Sequence, residues 1–261
     1  MSLAVVASRA LDGLQAPEVQ VEVQLANGLP SFTLVGLAET EVKESRERVR
    51  AALATSGFAF PHNRRVTVNL APAELPKESG RYDLPIALGI LAADGQLDAT
   101  KLAGGVFAGE LSLAGELRPV RGALALALAM RQEMRDEAAA RTLVLPAASA
   151  RLAAQVAGLD VRGATTLAEV AASLLPGDAA VPLSPAAPLP PAAPPPAPDL
   201  REVKGQAAAK RALEIAAAGG HHLLMVGPPG TGKSMLAQRL PPLLPPLPEA
   251  DALAAAALRG L

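Results

Sequence analysis

The strongest chemical signal in the sequence is a run of eight residues, G-P-P-G-T-G-K-S at 227–234, which satisfies the phosphate-loop pattern G-x-x-x-x-G-K-[ST] in full. Gly227, Gly230 and Gly232 open backbone conformations closed to other residues, so successive N–H groups can turn toward phosphate oxygens. Pro228, Pro229 and Thr231 complete the loop between them. Lys233 then offers a cation to the β and γ phosphates of a nucleotide, and Ser234 a hydroxyl to Mg²⁺.

Such a loop works only where a strand delivers it and a helix receives it. Residues 221–226, H-H-L-L-M-V, read as a short apolar strand, and the amphipathic run M-L-A-Q-R-L at 235–240 reads as helix. The start of that helix near Gly232 would add its N-terminal partial charge to the anion site. Upstream, the Ala-rich run at 205–218 predicts a further helix, with Gly219 and Gly220 following it.

The rest of the chain reads as two more parts. Ten of the 25 prolines fall within 176–198, which predicts an extended, semi-rigid linker. Before it, residues 1–175 alternate strand and helix patterns, an α/β domain of mixed order without internal repeats. The period of two in V-Q-V-E-V-Q-L at 19–25 buries Val19, Val21, Val23 and Leu25 on one face. Strands are also predicted at 31–35, 64–70, 106–113 and 142–145, and helices at 39–56, 83–93, 120–134 and 167–175. Pro85 is tolerated because it falls in the first turn of its helix.

Composition narrows the function classes. The chain has 261 residues, half of them hydrophobic but only 2% aromatic, which argues against a protein that reads bases by stacking. With no cysteine it has no disulfide, thiolate metal site or Cys nucleophile. A net charge of -1 excludes a globally basic nucleic-acid binder, leaving room for a local basic stripe. Neither a signal-peptide core nor a spanning run is present, so the expectation is a cytoplasmic protein without membrane association.

Longer motifs carry a family resemblance. N-L-A-P-A-E-L-P-K-E-S-G-R-Y-D-L-P-I-A-L-G-I-L at 69–91 and G-E-L-S-L-A-G-E-L-R-P-V-R-G-A at 109–123 resemble the N-terminal domain of the magnesium-chelatase-like AAA+ proteins, the YifB or ComM family. V-G-L-A-E-T-E-V-K-E-S-R-E-R-V-R at 35–50 and M-L-A-Q-R-L-P-P-L-L-P-P-L at 235–247 match the same family. The resemblance covers nearly the whole chain. It implies a Lon protease-like, ribosomal S5 domain 2-like domain over 1–175, then the linker, then the beginning of a P-loop AAA+ module over 199–261. It further implies ATP and Mg²⁺ as ligands, a homo-hexamer in the full-length family, and DNA branch migration in natural transformation. In AAA+ ATPases the segment before the loop closes over adenine, which implies Val203, Gly205 and Gln206 as base contacts.

Departures from related patterns matter equally. In Lon peptidases a lysine base follows a G-E-x-x-P turn; here Leu124 stands in its place, and Asp83 lies near the expected nucleophile. Without a base, a nearby hydroxyl such as Ser79 is not activated, so peptidase chemistry is not expected. Residues 235–261 hold no Walker B acid after an apolar strand, no sensor and no arginine finger; Glu249 and Asp251 read as helix-start residues. This reads as the front part of a family member, expected to bind nucleotide weakly and not to turn it over. Two rival readings are the ATPase subunit of a magnesium chelatase and a non-catalytic docking adaptor.

Three smaller features complete the reading. Lys43, Arg46, Arg48 and Arg50 form a basic stripe, but Glu39, Glu41, Glu44 and Glu47 interleave it, which favours a solvated helix face over nucleic acid or a neighbouring subunit. His221 and His222 on a strand would point to opposite faces and could not share a metal. Asp83 is expected to cap its helix, with a subunit contact as the alternative.

Overall fold

In the computed structural model, residues 2–36, 44–77, 80–136, 141–190 and 196–260 are described. The chain divides into two compact units, Met1–Leu189 with Leu253–Leu261, and Pro190–Ala252.

The first unit contains β1 (Ser2–Arg9), β2 (Glu18–Asn27), β3 (Ser31–Val35), α1 (Ser45–Thr55), β4 (Arg64–Ala71) and α2 (Asp83–Ala93). It continues with β5 (Gly105–Phe107), β6 (Glu110–Leu111), β7 (Leu117–Arg118), α3 (Ala123–Asp136), β8 (Thr142–Pro146), α4 (Ala147–Ala153), β9 (Asp160–Ala164) and α5 (Leu167–Ser173). Its main sheet runs β3-β4-β2-β1-β5-β8-β9, while β6 and β7 pair separately. β1 and β2 pair antiparallel, as do β2 and β4, whereas β3–β4, β1–β5, β5–β8 and β8–β9 are parallel. This is a mixed, parallel-rich α/β sheet.

Sequence patterns explain which faces are covered. Along β2 the alternation buries Val19, Val21, Val23 and Leu25, and in β4 it buries Val66, Val68 and Leu70, all in one core cluster. β8 is instead an unbroken apolar run, and its residues divide between two cores: Val144 joins that first cluster, Leu143 and Leu145 a second one beneath α3. A strand buried on both faces needs no alternation. α2 is buried along its whole length, which accounts for its apolar circumference. Gly89 permits its close approach to the sheet, since a Cβ there would stand 2.5 Å from Val23 Cγ2.

Several expectations are refined. The run at 106–113 is not one strand but β5 and β6, broken at Ala108 and Gly109 where Gly109 N–H bonds back to Arg81 O at 2.8 Å. The predicted helix at 39–56 is seen from Ser45 as α1; Val42, Lys43, Glu39 and Glu41 lie outside the described residues, as does Ser79. The proline-rich segment is not wholly a free spacer. Ala186 N–H donates to Val161 O at 2.8 Å and Val181 N–H to Ala172 O at 3.0 Å, so its first part lies along β9 and α5.

The second unit contains α6 (Ala207–Gly219) and α7 (Lys233–Ala237), and α8 (Glu249–Arg259) begins in it. A small core of Leu200, Val203, Leu213 and Leu236 holds it together. The predicted strand at 221–226 is not formed: these residues carry no regular structure, and Leu224 and Val226 are 86% and 87% exposed. An apolar run becomes a strand only where a neighbour supplies its ladder, and none lies among the described residues of 196–260.

Candidate functional site

The glycine-rich loop is delivered by a helix that stops where its sequence says it should. α6 ends at Gly220 in the left-handed region, φ 62°, and His221 N–H reaches back to Ala216 O at 2.9 Å. The chain then runs irregularly through 221–226 into the loop. Gly230 and Gly232 take φ of 83° and 86°, a region that side chains adopt only with strain, and Gly232 precedes the single short helix α7. Leu236 on α7 is buried against Val203 and Leu213, tying the loop to the unit's small core.

Lys233 is folded over its own loop. Its Nζ donates to Gly227 O at 2.7 Å and Pro228 O at 2.8 Å, with Thr231 Oγ1 at 3.4 Å. Thr231 Oγ1 in turn donates to Pro228 O at 3.0 Å. Among the described residues the ammonium is thus held at the loop by neutral oxygens, acceptors that a phosphate oxygen would outcompete through charge. Ser234 is exposed, with its hydroxyl open to an ion from solvent.

Beside the loop lies a cavity of about 490 Å³ lined by Gln206, Ala209, Ala212, 223–226, Thr231, Lys233 and Leu236. Gln206 Nε2 donates to Thr231 O at 3.3 Å, so of the three expected base contacts Gln206 stands at this cavity. Val203 is buried in the core instead, and Gly205 is outside the lining, holding a left-handed turn at φ 69° before α6. Arg239, which the sequence reading passed over, braces the unit by donating to Asp199 O at 3.0 Å and to Glu202 Oε2 at 2.9 Å.

The remaining sequence candidates resolve as structural groups. Asp83 does not cap α2. It is fully buried as the first residue of the helix and accepts from Arg48 Nε at 2.7 Å and from Leu111 N–H at 3.1 Å. Burial pushes its carboxyl above the ordinary range, opposed by the hydrogen bonds from Arg48 and Ser45. Arg48 therefore leaves the solvated stripe, while Arg46 stays on the surface paired with Glu47. Leu124 is buried and apolar. Lys77 is also buried, its Nζ donating to Pro72 O, and burial lowers its pKa. Glu249 and Asp251 do stand in the first turn of α8. Among the described residues no cluster of His, Cys, Asp and Glu could hold a metal, and no helix is long and apolar enough to cross a membrane.

Comparison with known families matches both units. The family described as Subunit ChlI of Mg-chelatase matches residues 21–149, and that described as Magnesium chelatase, subunit ChlI matches 199–261. Competence protein ComM of Haemophilus influenzae is 47% identical over 264 residues, covering all of this chain and 50% of the relative. The YifB proteins of Salmonella typhimurium and Escherichia coli are 48% and 45% identical, again with all of this chain and 50% of each relative covered. The chain spans about half the length of the curated relatives it matches. Long motifs in both units and near 50% identity to ComM and YifB from end to end converge on one ancestry, and the chain belongs to the Mg-chelatase ChlI-like family that contains them.

Proposed function

We propose that this chain binds ATP with Mg²⁺ at 227–234 as the front part of a ComM/YifB-type AAA+ module. The observation that carries the reading is Lys233: its ammonium lies 2.7 and 2.8 Å from two loop carbonyls, at the mouth of a cavity that Gln206 shares. In this reading Lys233 exchanges those carbonyls for β and γ phosphate oxygens, and Gly230 and Gly232 let the backbone approach them. The adenine ring enters the cavity beside Gln206, with Val203 and Gly205 shaping the segment behind it. Ser234 would hold the Mg²⁺, whose chemistry is to neutralise charge between the two phosphates.

The division into an S5 domain 2-like unit over 1–175, a linker over 176–198 and an AAA+ portion over 199–261 belongs to the same reading. In the full-length family it implies a homo-hexamer that couples hydrolysis to branch migration on DNA during transformation, a role supported by the competence designation of ComM. The chelatase designation of the matched families favours a second reading, an ATPase subunit serving a metal-inserting partner. End-to-end identity to ComM and YifB supports the first.

Equilibrium titration with ATP and Mg²⁺ tests the site. Saturable binding that Lys233→Ala abolishes is expected; equal affinity in the variant would overturn it.

A further inference from the structure

Away from the phosphate loop, the first unit carries a second arrangement that nothing above uses. A surface cleft of about 280 Å³ lies where the start of β3, the exposed side of α1 and the approach to β4 meet, lined by Phe32, Arg46, Arg50, Phe60, His62 and Arg64 among others. The chain has only four phenylalanines and three histidines in 261 residues, yet two of the former and one of the latter share this cleft. The low aromatic content that argued against base stacking thus conceals a local concentration of rings.

The rings and cations are ordered relative to one another. The Arg50 guanidinium stands 5.9 Å from the Phe60 centroid, and the Phe60 and His62 rings lie 5.4 Å apart at 55°. Arg46 is one helical turn before Arg50 on α1. Arg46 is paired with Glu47 at 2.8 Å and Arg64 with Asp94 at 3.8 Å, both at exposed or half-exposed positions where such pairs are weak. Arg50 makes no ion pair among the described residues.

We propose that this cleft holds a segment of single-stranded nucleic acid, a base stacking against Phe60 and Arg50 while Arg46 and Arg64 contact the flanking phosphates. A strand-binding groove combines these two things, cations that follow the backbone and ring faces that accept any base. Phe32 and Phe60 pack in part against the first core, and an acidic peptide would satisfy the arginines without using the ring surface left at the cleft. A duplex keeps its base faces stacked internally and would offer only phosphates. The proposal deepens the reading of the family as acting on DNA and rests on it for the class of ligand, but it does not depend on Lys233.

The chain has no tryptophan, so Phe60→Trp would carry a single indole reporter. In the full 261-residue chain, oligo-dT is expected to quench this fluorescence saturably, whereas duplex DNA of equal length and poly-glutamate are not. By anisotropy with labelled oligo-dT, Phe60→Leu, which keeps apolar packing but loses the ring, should weaken binding about tenfold without changing its salt dependence. Arg46→Gln should lower the slope of log K against log salt by about 0.7, one phosphate contact on a single strand. Circular dichroism melts confirm that each variant is folded, and Arg50→Gln gives a second measure on an exposed side chain. Lys233→Ala should bind oligo-dT normally, so failure of the ATP site and failure of this cleft read out separately. Absence of oligo-dT binding, wild-type affinity in Phe60→Leu and Arg50→Gln, or quenching by duplex or poly-glutamate equal to that by oligo-dT would each overturn the proposal.

Discussion

Arg48 and Asp83, 35 residues apart in sequence, meet in a two-point pair: Nε lies 2.7 Å from Oδ2 and Nη2 3.2 Å from Oδ1. The carboxylate is fully buried and the guanidinium mostly so, which fastens the first turn of α1 to the first residue of α2. The same carboxylate accepts Leu111 N–H, so one acidic group organises two helices and the β6 strand.

Removing Arg48 would leave that carboxylate buried without its principal partner. Arg48→Ala should therefore destabilise the first unit by about 3 kcal/mol near neutral pH. Because burial already raises the folded pKa of Asp83, its neutral form is the one folding favours. Its contribution is full below the unfolded value of about 3.9 and is lost as pH rises through the folded value, which moves higher still without Arg48. Urea melts of wild type and variant should accordingly converge as pH is lowered from neutrality. A cost independent of pH would show that Asp83 does not titrate as described.

A second pH effect has the opposite sign. Thr166 caps α5 by accepting Glu169 N–H at 3.2 Å, and Glu169 accepts from Thr165 Oγ1 and from Thr165 N–H at 2.8 Å. These hydrogen bonds, the Thr165 hydroxyl first, hold the Glu169 carboxyl below its ordinary range. Its contribution is present above about pH 4.3 and disappears as pH falls through the lower folded value. Thr166→Ala should cost about 1 kcal/mol across the range. The stability gap between wild type and Glu169→Gln should instead close in acid, as measured by thermal melts at pH 7 and pH 3.

Proteolysis tests how the proline-rich segment is held. Arg162 Nη1 donates to Leu183 O at 2.6 Å, Lys101 Nζ to Gly177 O at 3.2 Å, and Leu189 N–H to Arg151 O at 3.3 Å. Limited digestion followed by intact-mass analysis should leave an N-terminal fragment that extends through Leu189. Early cleavage within 176–189 would mean that these contacts do not persist in solution.

The phosphate-loop unit should exchange its amide hydrogens unevenly. Backbone N–H groups at 222–226 have no ladder among the described residues and should exchange within seconds, while those of β1, β2 and β4 stay protected. Nucleotide binding must then order its own approach, so affinity should be modest. Phosphate release by this chain should be undetectable, since residues 235–261 supply neither a Walker B acid nor an arginine finger. Steady turnover abolished by Lys233→Ala would refute that expectation.

Local chemistry determined much of this protein without tertiary help. The phosphate loop is a contiguous string whose glycines fix backbone freedom within a few residues, and the period of two in β2 and β4 marks their buried faces. α2 and β3 fall where apolar pattern and helix-start residues place them, because those signals are also local. Partnership is what the sequence could not contain. β1, where no strand was expected, lies centrally in the sheet because β2 and β5 lie on either side of it. The run at 221–226 has the composition of a strand and is not one, since a ladder needs a neighbour. Arg48 and Asp83 read as a surface charge and a helix cap but meet as a buried pair, and Arg9 is fully buried and bonds to Glu133 across 124 residues of chain, a contact no local pattern announces. Whether a charge is solvated or buried depends on what other segments bring to it, and only the folded chain decides that.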